Sequence, residues 1–361
     1  MKKLLSLAMV LVLALGMLSG CGGDKKDDSA YSGSQSQTSQ GSSSSGSEEK
    51  EVYELVLGTT CSDPALAPEW NCFGHNIGKF IELTEEYTDG QVIITPYYQS
   101  VLGGDTELFQ ALVNGEIDFY YGNGFATADP RFAWTGLPFI WTSTEQIREL
   151  FANPEGELFK LNQEIYNEHG VMNLGQNIGM ARGVSNAKHP VHVPEDLNDL
   201  IIRTYEDTVV NTFFGGLCTV AVMPASEVYT SMQTGAITGA ENSDTVFLRD
   251  GFNEMNPYFT YLNWQVSMYA LKCNKAMFDG LPEDLQEAVW QASWDAAAYA
   301  DEINLEEVAK AQAEMESRGV EVVVLTEEEQ QQWIEYAQSL APTLSEAIGV
   351  DLYNQIMEIV G

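Results

Sequence analysis

Basic residues are scarce in this 361-residue chain. It has 17 Lys and Arg residues against 53 Asp and Glu, which gives a formal net charge of −36 at pH 7. Proteins that bind nucleic acid need a basic surface, and this sequence contains no clustered basic patch. The acidic balance also argues against docking on an anionic lipid surface. We therefore expect no nucleic-acid partner.

Patterns for metal, nucleotide or nucleophilic chemistry are missing too. The five cysteines and four histidines have no zinc-ligand spacing. The sequence contains no phosphate loop, no GxGxxG fingerprint and no GxSxG nucleophile elbow. These absences argue against nucleotide binding and against an enzyme. We predict that the protein uses no cofactor and holds no metal.

Only one long apolar run is present, and it lies at the N-terminus. Residues 1–21 combine two lysines, an apolar run and the sequence Leu18-Ser19-Gly20-Cys21. The run is shorter than the roughly 20 apolar residues of a membrane span, which indicates a signal segment. It resembles a bacterial lipoprotein signal, which implies cleavage before Cys21, acylation of that thiol and anchoring to the cell membrane outside the cytoplasm. A secretory signal cleaved elsewhere is the alternative.

The segment over 22–51 has almost no apolar residues and is rich in Ser, Gly, Asp and Gln. Such a composition predicts a flexible tether. The rest, residues 52–361, is long enough for two lobes with separate cores. In an extracytoplasmic protein Cys61 and Cys72 could form a disulfide or remain free thiols, and the sequence does not distinguish these alternatives. We expect Cys218 and Cys273 to be free.

The stretch over 194–243 carries the clearest fold signal. Its signals are an apolar run at 200–202, a helical pattern closed by Gly215-Gly216, a β-branched run at 219–222, a helical pattern from Ser226 and a strand-like segment at 240–242. This order is typical of an α/β unit with parallel strands. Ligand crevices in such sheets lie at the strand ends, which is where Arg203 and Asn242 fall.

Arg203 is unusual because it is a cation directly after three apolar residues in a very acidic chain. A buried guanidinium needs an anionic or hydrogen-bonding partner, since burial without one costs several kcal/mol. That partner is either an internal carboxylate, such as Glu206 or Asp207, or a ligand. Composition and spacing leave both open.

The flanking regions predict further alternation of strands and helices. The first half has strand patterns at 52–57, 92–96 and 117–121 and helical patterns at 75–87 and from 105 to 114. Residues 281–319 are rich in Ala, Glu and Gln without an internal Gly or Pro after Pro282, which predicts one long helix that spans both lobes. A strand at 320–325 and helices at 327–341 and 344–360 follow.

Five stretches resemble one known family. They are QSVLGGDTELFQALVNGEIDF, GLPFIWTSTEQ, GVSNAKHPVHVPEDLNDLIIRT, PASEVYTSMQTGAITGAEN and LPEDLQEAV. In this order they resemble the solute-binding receptor subunit of a TRAP (tripartite ATP-independent periplasmic) transporter, in its dicarboxylate-binding family. The resemblance implies a protein that captures a small organic acid and delivers it to the TRAP membrane subunits. The binding lipoprotein of an ABC importer is the alternative.

The resemblance also implies an architecture. We expect an α/β fold of the two-lobe periplasmic-binding-protein-like type (class II), with a long C-terminal brace helix. Lobe I would span 52–180, completed by roughly 265–300, and lobe II would span 181–264, completed by roughly 305–361. We expect the receptor to act as a monomer.

The family pattern suggests roles for individual residues. An arginine at the end of the family's strand clamps the ligand carboxylate, and Arg203 occupies that position, with Asn242 as a second ligand contact. Arg182 matches a further family arginine and is either a second ligand cation or structural. The other candidates are Asn123 as a polar contact and Trp70 and Trp264 as aromatic walls, with core or surface packing as the alternative for both tryptophans. Sialic-acid receptors carry an arginine where this chain has Lys188-His189, which argues against that ligand.

Overall fold

Two mixed β-sheets and the helices around them make up the described chain. The structure, a computed structural model, describes residues 50–123 and 128–361. The predicted signal segment with Cys21 and nearly all of the predicted tether lie outside the described residues. Within them, no helix has both the length and the apolar character that crossing a membrane would need.

Sheet I has five strands in the order β2-β1-β3-β10-β4. They are β1 Tyr53–Thr59, β2 Val92–Tyr97, β3 Phe119–Gly122, β4 Val171–Gln176 and β10 Ala270–Asn274. Strand β1 runs parallel to β2 and β3, whereas β10 runs antiparallel to β3 and β4. Both faces are buried, because Phe119 and Tyr121 enter one apolar cluster and Tyr120 enters another. The strands predicted in the first half are thereby confirmed.

Sheet II has six strands in the order β11-β9-β5-β8-β6-β7. They are β5 Arg182–Asn186, β6 Ile201–Thr204, β7 Thr219–Val222, β8 Gly239–Ser243, β9 Tyr258–Tyr261 and β11 Glu321–Val324. Strand β6 runs parallel to both β7 and β8, which confirms the parallel unit predicted over 194–243. Strand β5 runs antiparallel to β8 and β9.

Twelve α-helices lie in the described residues. They are α1 Cys72–Tyr87, α2 Asp105–Asn114, α3 Thr144–Leu150, α4 Glu157–Glu168, α5 Thr208–Gly215, α6 Ala225–Gln233, α7 Asp244–Arg249, α8 Lys275–Gly280, α9 Glu283–Ser317, α10 Glu327–Ser339, α11 Ala341–Ile348 and α12 Val350–Val360. A 3₁₀ helix at Pro130–Gly136 precedes α3.

Helix α9 is the predicted brace. Its 35 residues span about 52 Å at 1.5 Å per residue. The N-terminal half packs in the apolar cluster of sheet I through Leu285, Val289 and neighbouring alanines. The C-terminal half contributes Ala311 and Met315 to a cluster of sheet II. One continuous helix therefore packs against both sheets.

Two antiparallel segments connect the sheets, between β4 and β5 and between β9 and β10. The Gly179 amide donates to the Ser267 carbonyl at 2.8 Å, and the Ser267 amide donates to the Met180 carbonyl at 2.9 Å. A Cβ on Gly179 would lie 2.1 Å from the Ser267 carbonyl oxygen, so the close approach requires glycine. Asp301 of α9 accepts from the Ile178 amide at 3.0 Å, which ties the brace to this crossing.

The C-terminal helices differ from expectation in two ways. The single helix predicted over 344–360 is wrong, because Gly349 adopts a φ of 96° and separates α11 from α12. These two helices also pack against Trp134, Leu158 and Phe159, which come from the first half of the chain. The exact lobe boundaries therefore stay a prediction.

The cysteines answer the question that the sequence left open. Cys61 and Cys72 are both buried and free, so the disulfide reading is wrong for this structure. The Cys72 sulfur lies 3.7 Å from the sulfur of Met180 instead. Cys218 and Cys273 are free as well, as expected.

Candidate functional site

A cavity of about 520 Å³ lies between the strand ends of the two sheets. Sheet I contributes the loop after β1, the residue after β3 and the N-terminus of α2, and sheet II contributes β5, β6, β8 and the segment after β7. Its volume falls in the range of about 300–1,000 Å³ that is usual for small-molecule sites. Four of the predicted site residues line it, namely Asn123, Arg182, Arg203 and Asn242.

Arg203 lies on β6 with only 5% of its surface exposed. Its Nε and Nη2 donate to the Met223 carbonyl at 3.0 and 2.7 Å. Among the described residues no carboxylate lies within ion-pair distance of it. Burial is the main cause that lowers the pKa of Arg203 below its usual value. The guanidinium is thus a buried cation held by a neutral carbonyl.

The two carboxylates considered as internal partners are used elsewhere. Glu206 accepts from the Thr106 hydroxyl at 2.8 Å, a contact between the segment after β6 and the start of α2. Asp207 caps α5 by accepting from the amides of Val209 and Val210. The internal ion-pair reading of Arg203 with either residue is therefore wrong.

The guanidinium geometry leaves one edge of Arg203 available. Nε and Nη2 form the side edge, and that edge is taken by the Met223 carbonyl. Nη1 has no hydrogen-bond partner in the described part of the chain, and Nη2 uses one of its two protons. The end edge, formed by Nη1 and Nη2, matches a carboxylate in a two-pronged contact.

Arg182 on β5 is different, because a carboxylate already holds it. Its Nε and Nη2 donate to the two oxygens of Glu241 at 2.8 and 2.7 Å, and Nη1 donates to the Ser267 hydroxyl at 3.0 Å. Burial opposes the charge, but the Glu241 carboxylate outweighs it and raises the pKa of Arg182. The guanidinium also lies 5.4 Å from the ring centre of Tyr205. Of the two readings of Arg182, this geometry favours the structural one.

The two asparagines reach the cavity from opposite sheets. Asn123 follows β3 of sheet I, and Asn242 lies on β8 of sheet II. The Asn242 Oδ1 accepts from the Ser243 amide at 2.9 Å. Its Nδ2 has no partner among the residues that the structure describes. An amide donor is therefore available on the same side of the cavity as Arg203.

Neither predicted aromatic wall lines the cavity. Trp264 is fully buried, and its ring stacks on Phe213 with centroids 5.2 Å apart and an interplanar angle of 8°. Trp70 has a left-handed φ of 59° and packs against the apolar cluster of Val228 and Phe247. Of the two alternatives for these tryptophans, the geometry favours packing over a ligand wall, and composition cannot distinguish the two.

Three of the cavity residues that sequence reasoning missed are Tyr269, Arg249 and Asp105. Tyr269 supplies an aromatic wall, with its ring stacked 4.2 Å from that of Phe73. Arg249, at the end of α7, donates to Asp250 at 2.7 and 3.1 Å. Asp105 begins α2 just after Gly103-Gly104, and this glycine pair was a signal for the start of a helix.

Residues 66–346 match the family described as bacterial extracellular solute-binding protein, family 7. The chain belongs to this family. The C4-dicarboxylate-binding periplasmic protein DctP of Rhodobacter capsulatus is 30% identical over 285 residues, which cover 77% of this chain and 84% of the relative. The 2,3-diketo-L-gulonate-binding periplasmic protein YiaO of Escherichia coli K12 is 27% identical over 248 residues, covering 68% of this chain and 75% of the relative.

Solved structures share the fold of this solute-binding protein. The sugar acid binding protein DctPAm of Advenella mimigardefordensis, in complex with galactonate, has a TM-score of 0.79 at 21% identity, covering 86% of this chain and 99% of that one. A TRAP solute-binding protein of Sulfurospirillum deleyianum with bound succinate has a TM-score of 0.76 at 24% identity, covering 86% and 99%. These likenesses confirm the predicted α/β, periplasmic-binding-protein-like fold with its long C-terminal helix.

The predicted function is confirmed at the level of class. The protein is a bacterial extracellular solute-binding protein of this family, which agrees with the predicted receptor class. The ABC-importer alternative is not favoured. The cavity determines which residues hold the ligand and which chemical class of ligand is bound.

Proposed function

We propose that Arg203 is the anchor for the ligand carboxylate of this receptor. The observation that carries the proposal is a guanidinium 5% exposed, without a carboxylate partner in the described chain, whose end edge is unused at a cavity of about 520 Å³. A bound carboxylate would supply the negative charge that the neutral Met223 carbonyl lacks, in a two-pronged contact with the free edge of the guanidinium.

The asparagines complete the proposed contacts. Asn242 donates through Nδ2 from sheet II, and Asn123 binds the far end of the ligand from sheet I. A ligand that touches both sheets stabilises the closed arrangement over the open one. The lobes over 52–180 and 181–264 would then move about the crossing segments, with Gly179 and Ser267 at the hinge.

Delivery requires the receptor to stay near the membrane. We propose that Cys21 is acylated, so that the segment over 22–51 tethers the receptor to the outer side of the cell membrane. A flexible linker of that length reaches on the order of 30 Å. The closed receptor, acting as a monomer, would present its ligand to the TRAP membrane subunits. Cell fractionation of the Cys21→Ser variant tests the anchor, and we expect this variant to lose its association with the membrane.

A ligand screen tests the carboxylate anchor. The purified protein is heated with mono- and dicarboxylates, keto acids, aromatic acids and sugar acids, each beside its neutral amide. A ligand at a hundred times its dissociation constant adds about 2.7 kcal/mol, which raises the melting temperature measurably. We expect a shift with an acid and none with its amide. A shift with neutral compounds alone would rule out Arg203 as a carboxylate anchor.

A further inference from the structure

The cations of the cavity are not equally available to a ligand. Three arginines line it, and two of them are already held in two-pronged contacts by acidic side chains. Arg182 is held by Glu241, and Arg249 is held by Asp250. Only Arg203 among these three lacks a carboxylate. Among the described lining residues, Arg203 is therefore the one arginine that makes no hydrogen bond to a carboxylate.

A fourth buried cation lies close by but faces away. Lys272 on β10 is 1% exposed, and its ammonium donates to the carbonyls of Gly122 and Ala270. It also lies 5.3 Å and 5.5 Å from the ring centres of Tyr120 and Tyr166. It does not line the cavity. Burial lowers the pKa of Lys272 to about 7, so its charge is weakened as well.

Four acidic side chains line the cavity, namely Asp105, Glu107, Glu206 and Asp250. Asp250 is paired with Arg249, and the other three have no cation within ion-pair distance among the described residues. Asp105 accepts through Oδ1 from the Thr60 and Tyr120 hydroxyls at 3.0 and 2.7 Å. Its Oδ2 accepts no hydrogen bond from the described residues. That oxygen suits a ligand hydroxyl, which donates, and repels a carboxylate, which only accepts.

Asp105 and Arg203 act on the same space. Burial raises the pKa of Asp105, and the Arg203 charge is among the causes that oppose this rise. Both side chains line the same cavity, and the Arg203 charge favours the ionised form of Asp105. A molecule with one carboxylate and hydroxyl groups satisfies both, whereas a dicarboxylate satisfies only Arg203.

We infer that the ligand is a hydroxylated monocarboxylic acid, with its carboxylate on Arg203 and its hydroxyls on Asp105 and Asn123, and that the acidic lining rejects a second carboxylate. The inference rests on the proposed anchor and narrows it to one class of acid. The C4-dicarboxylate in the name of the Rhodobacter capsulatus relative belongs to a different class.

Matched pairs of acids test this selectivity. Each pair shares a carbon chain and differs by oxidation of the terminal hydroxymethyl group to a second carboxylate: glycerate and tartronate, 4-hydroxybutanoate and succinate, erythronate and meso-tartrate, gluconate and glucarate, galactonate and galactarate. Affinities are measured by calorimetry on the purified protein. In every pair that binds, we expect the monoacid to bind at least tenfold more tightly.

Two cavity variants and one control locate the cause. Asp105→Asn removes the charge but keeps an oxygen that accepts from Thr60 and Tyr120. Glu206→Gln removes the charge of an exposed side chain but keeps an oxygen that accepts from Thr106. Each variant should reduce the ratio of monoacid affinity to diacid affinity at least threefold. Glu227→Gln removes one exposed charge on α6 outside the cavity lining, and it should leave the ratio unchanged.

The outcomes distinguish the monocarboxylate inference from the proposed Arg203 anchor on which it rests. Diacids that bind as tightly as their monoacids would overturn the monocarboxylate inference and leave the Arg203 anchor standing. Ratios that stay unchanged in both cavity variants would overturn it as well. Binding of neither acid in any pair would overturn the monocarboxylate inference alone, because the Arg203 anchor is tested by the wider screen of acids against their amides.

Discussion

Replacing Arg203 and replacing Arg182 by Gln should have opposite consequences, although both arginines are buried on strands beside one cavity. Arg203→Gln removes a cation whose only hydrogen bonds in the described chain go to the Met223 carbonyl. Arg182→Gln removes the partner of Glu241, a carboxylate that is fully buried. We expect the first variant to lose binding and the second to lose stability.

The magnitudes follow from what each side chain leaves behind. Hydrogen bonds to charged groups contribute about 1.5–3 kcal/mol each, so losing two on the ligand weakens binding by about 3–6 kcal/mol, or roughly 10²–10⁴-fold. In the unliganded protein Arg203→Gln loses the charge-assisted hydrogen bonds to the Met223 carbonyl, and removal of a buried cation without a carboxylate partner offsets part of that loss. Arg182→Gln strands the Glu241 charge, which costs about 3–5 kcal/mol of unfolding free energy.

Two measurements on each variant check this contrast. Calorimetry with the strongest-binding acid of the screen gives the affinity, and urea denaturation without ligand gives the free energy of unfolding. Arg203→Lys serves as the control for charge, since it keeps the cation but loses the planar fork, and we expect it to recover only part of the affinity. The reasoning is refuted if Arg203→Gln binds the acid within threefold of wild type, or if Arg182→Gln unfolds at the wild-type urea concentration.

Three further predictions concern groups away from the ligand. Burial raises the pKa of Asp301 to about 6, so between about pH 4 and 6 the folded state holds a proton that the unfolded state has lost. The urea midpoint should therefore fall as the pH rises through this range, and Asp301→Asn should make that fall smaller. Burial raises the pKa of Cys61 to about 12, so a thiol reagent should modify Cys61 and Cys72 only after denaturation, and rapid native labelling would contradict their burial. Trp264→Ala should lower the unfolding free energy by about 3–5 kcal/mol and change the affinity of the folded protein less than threefold; a large affinity loss with unchanged stability would restore Trp264 to the cavity wall.

Local signals in the sequence predicted much of the fold. Hydrophobic periodicity and glycine turns placed β6, β7 and β8 with their parallel pairing, because each signal is contained within a few neighbouring residues. The long helix α9 followed from helix propensity summed over 35 residues. The break at Gly349 was missed, since one glycine in a helical pattern is often tolerated.

The sequence distinguished Arg203 from Arg182 as the anchor only through the family resemblance. Arg182 and Arg203 both lie on buried strands, and a sequence shows no difference in their charge partners. The difference is made by the antiparallel register of β5 and β8, which brings Glu241 beside Arg182 across 59 residues of chain. No local pattern encodes that pairing.

By itself the sequence determined the receptor class, the α/β elements and the position of Arg203, because these depend on motifs and on periodicity along the chain. Tertiary structure alone decided which arginine remains without a carboxylate, which aromatic ring is wall and which is core, and that Asp105 shares a cavity with Arg203. The physical reason is that burial and charge pairing are properties of neighbours in space. Most of the neighbours that decide this site are distant in the chain.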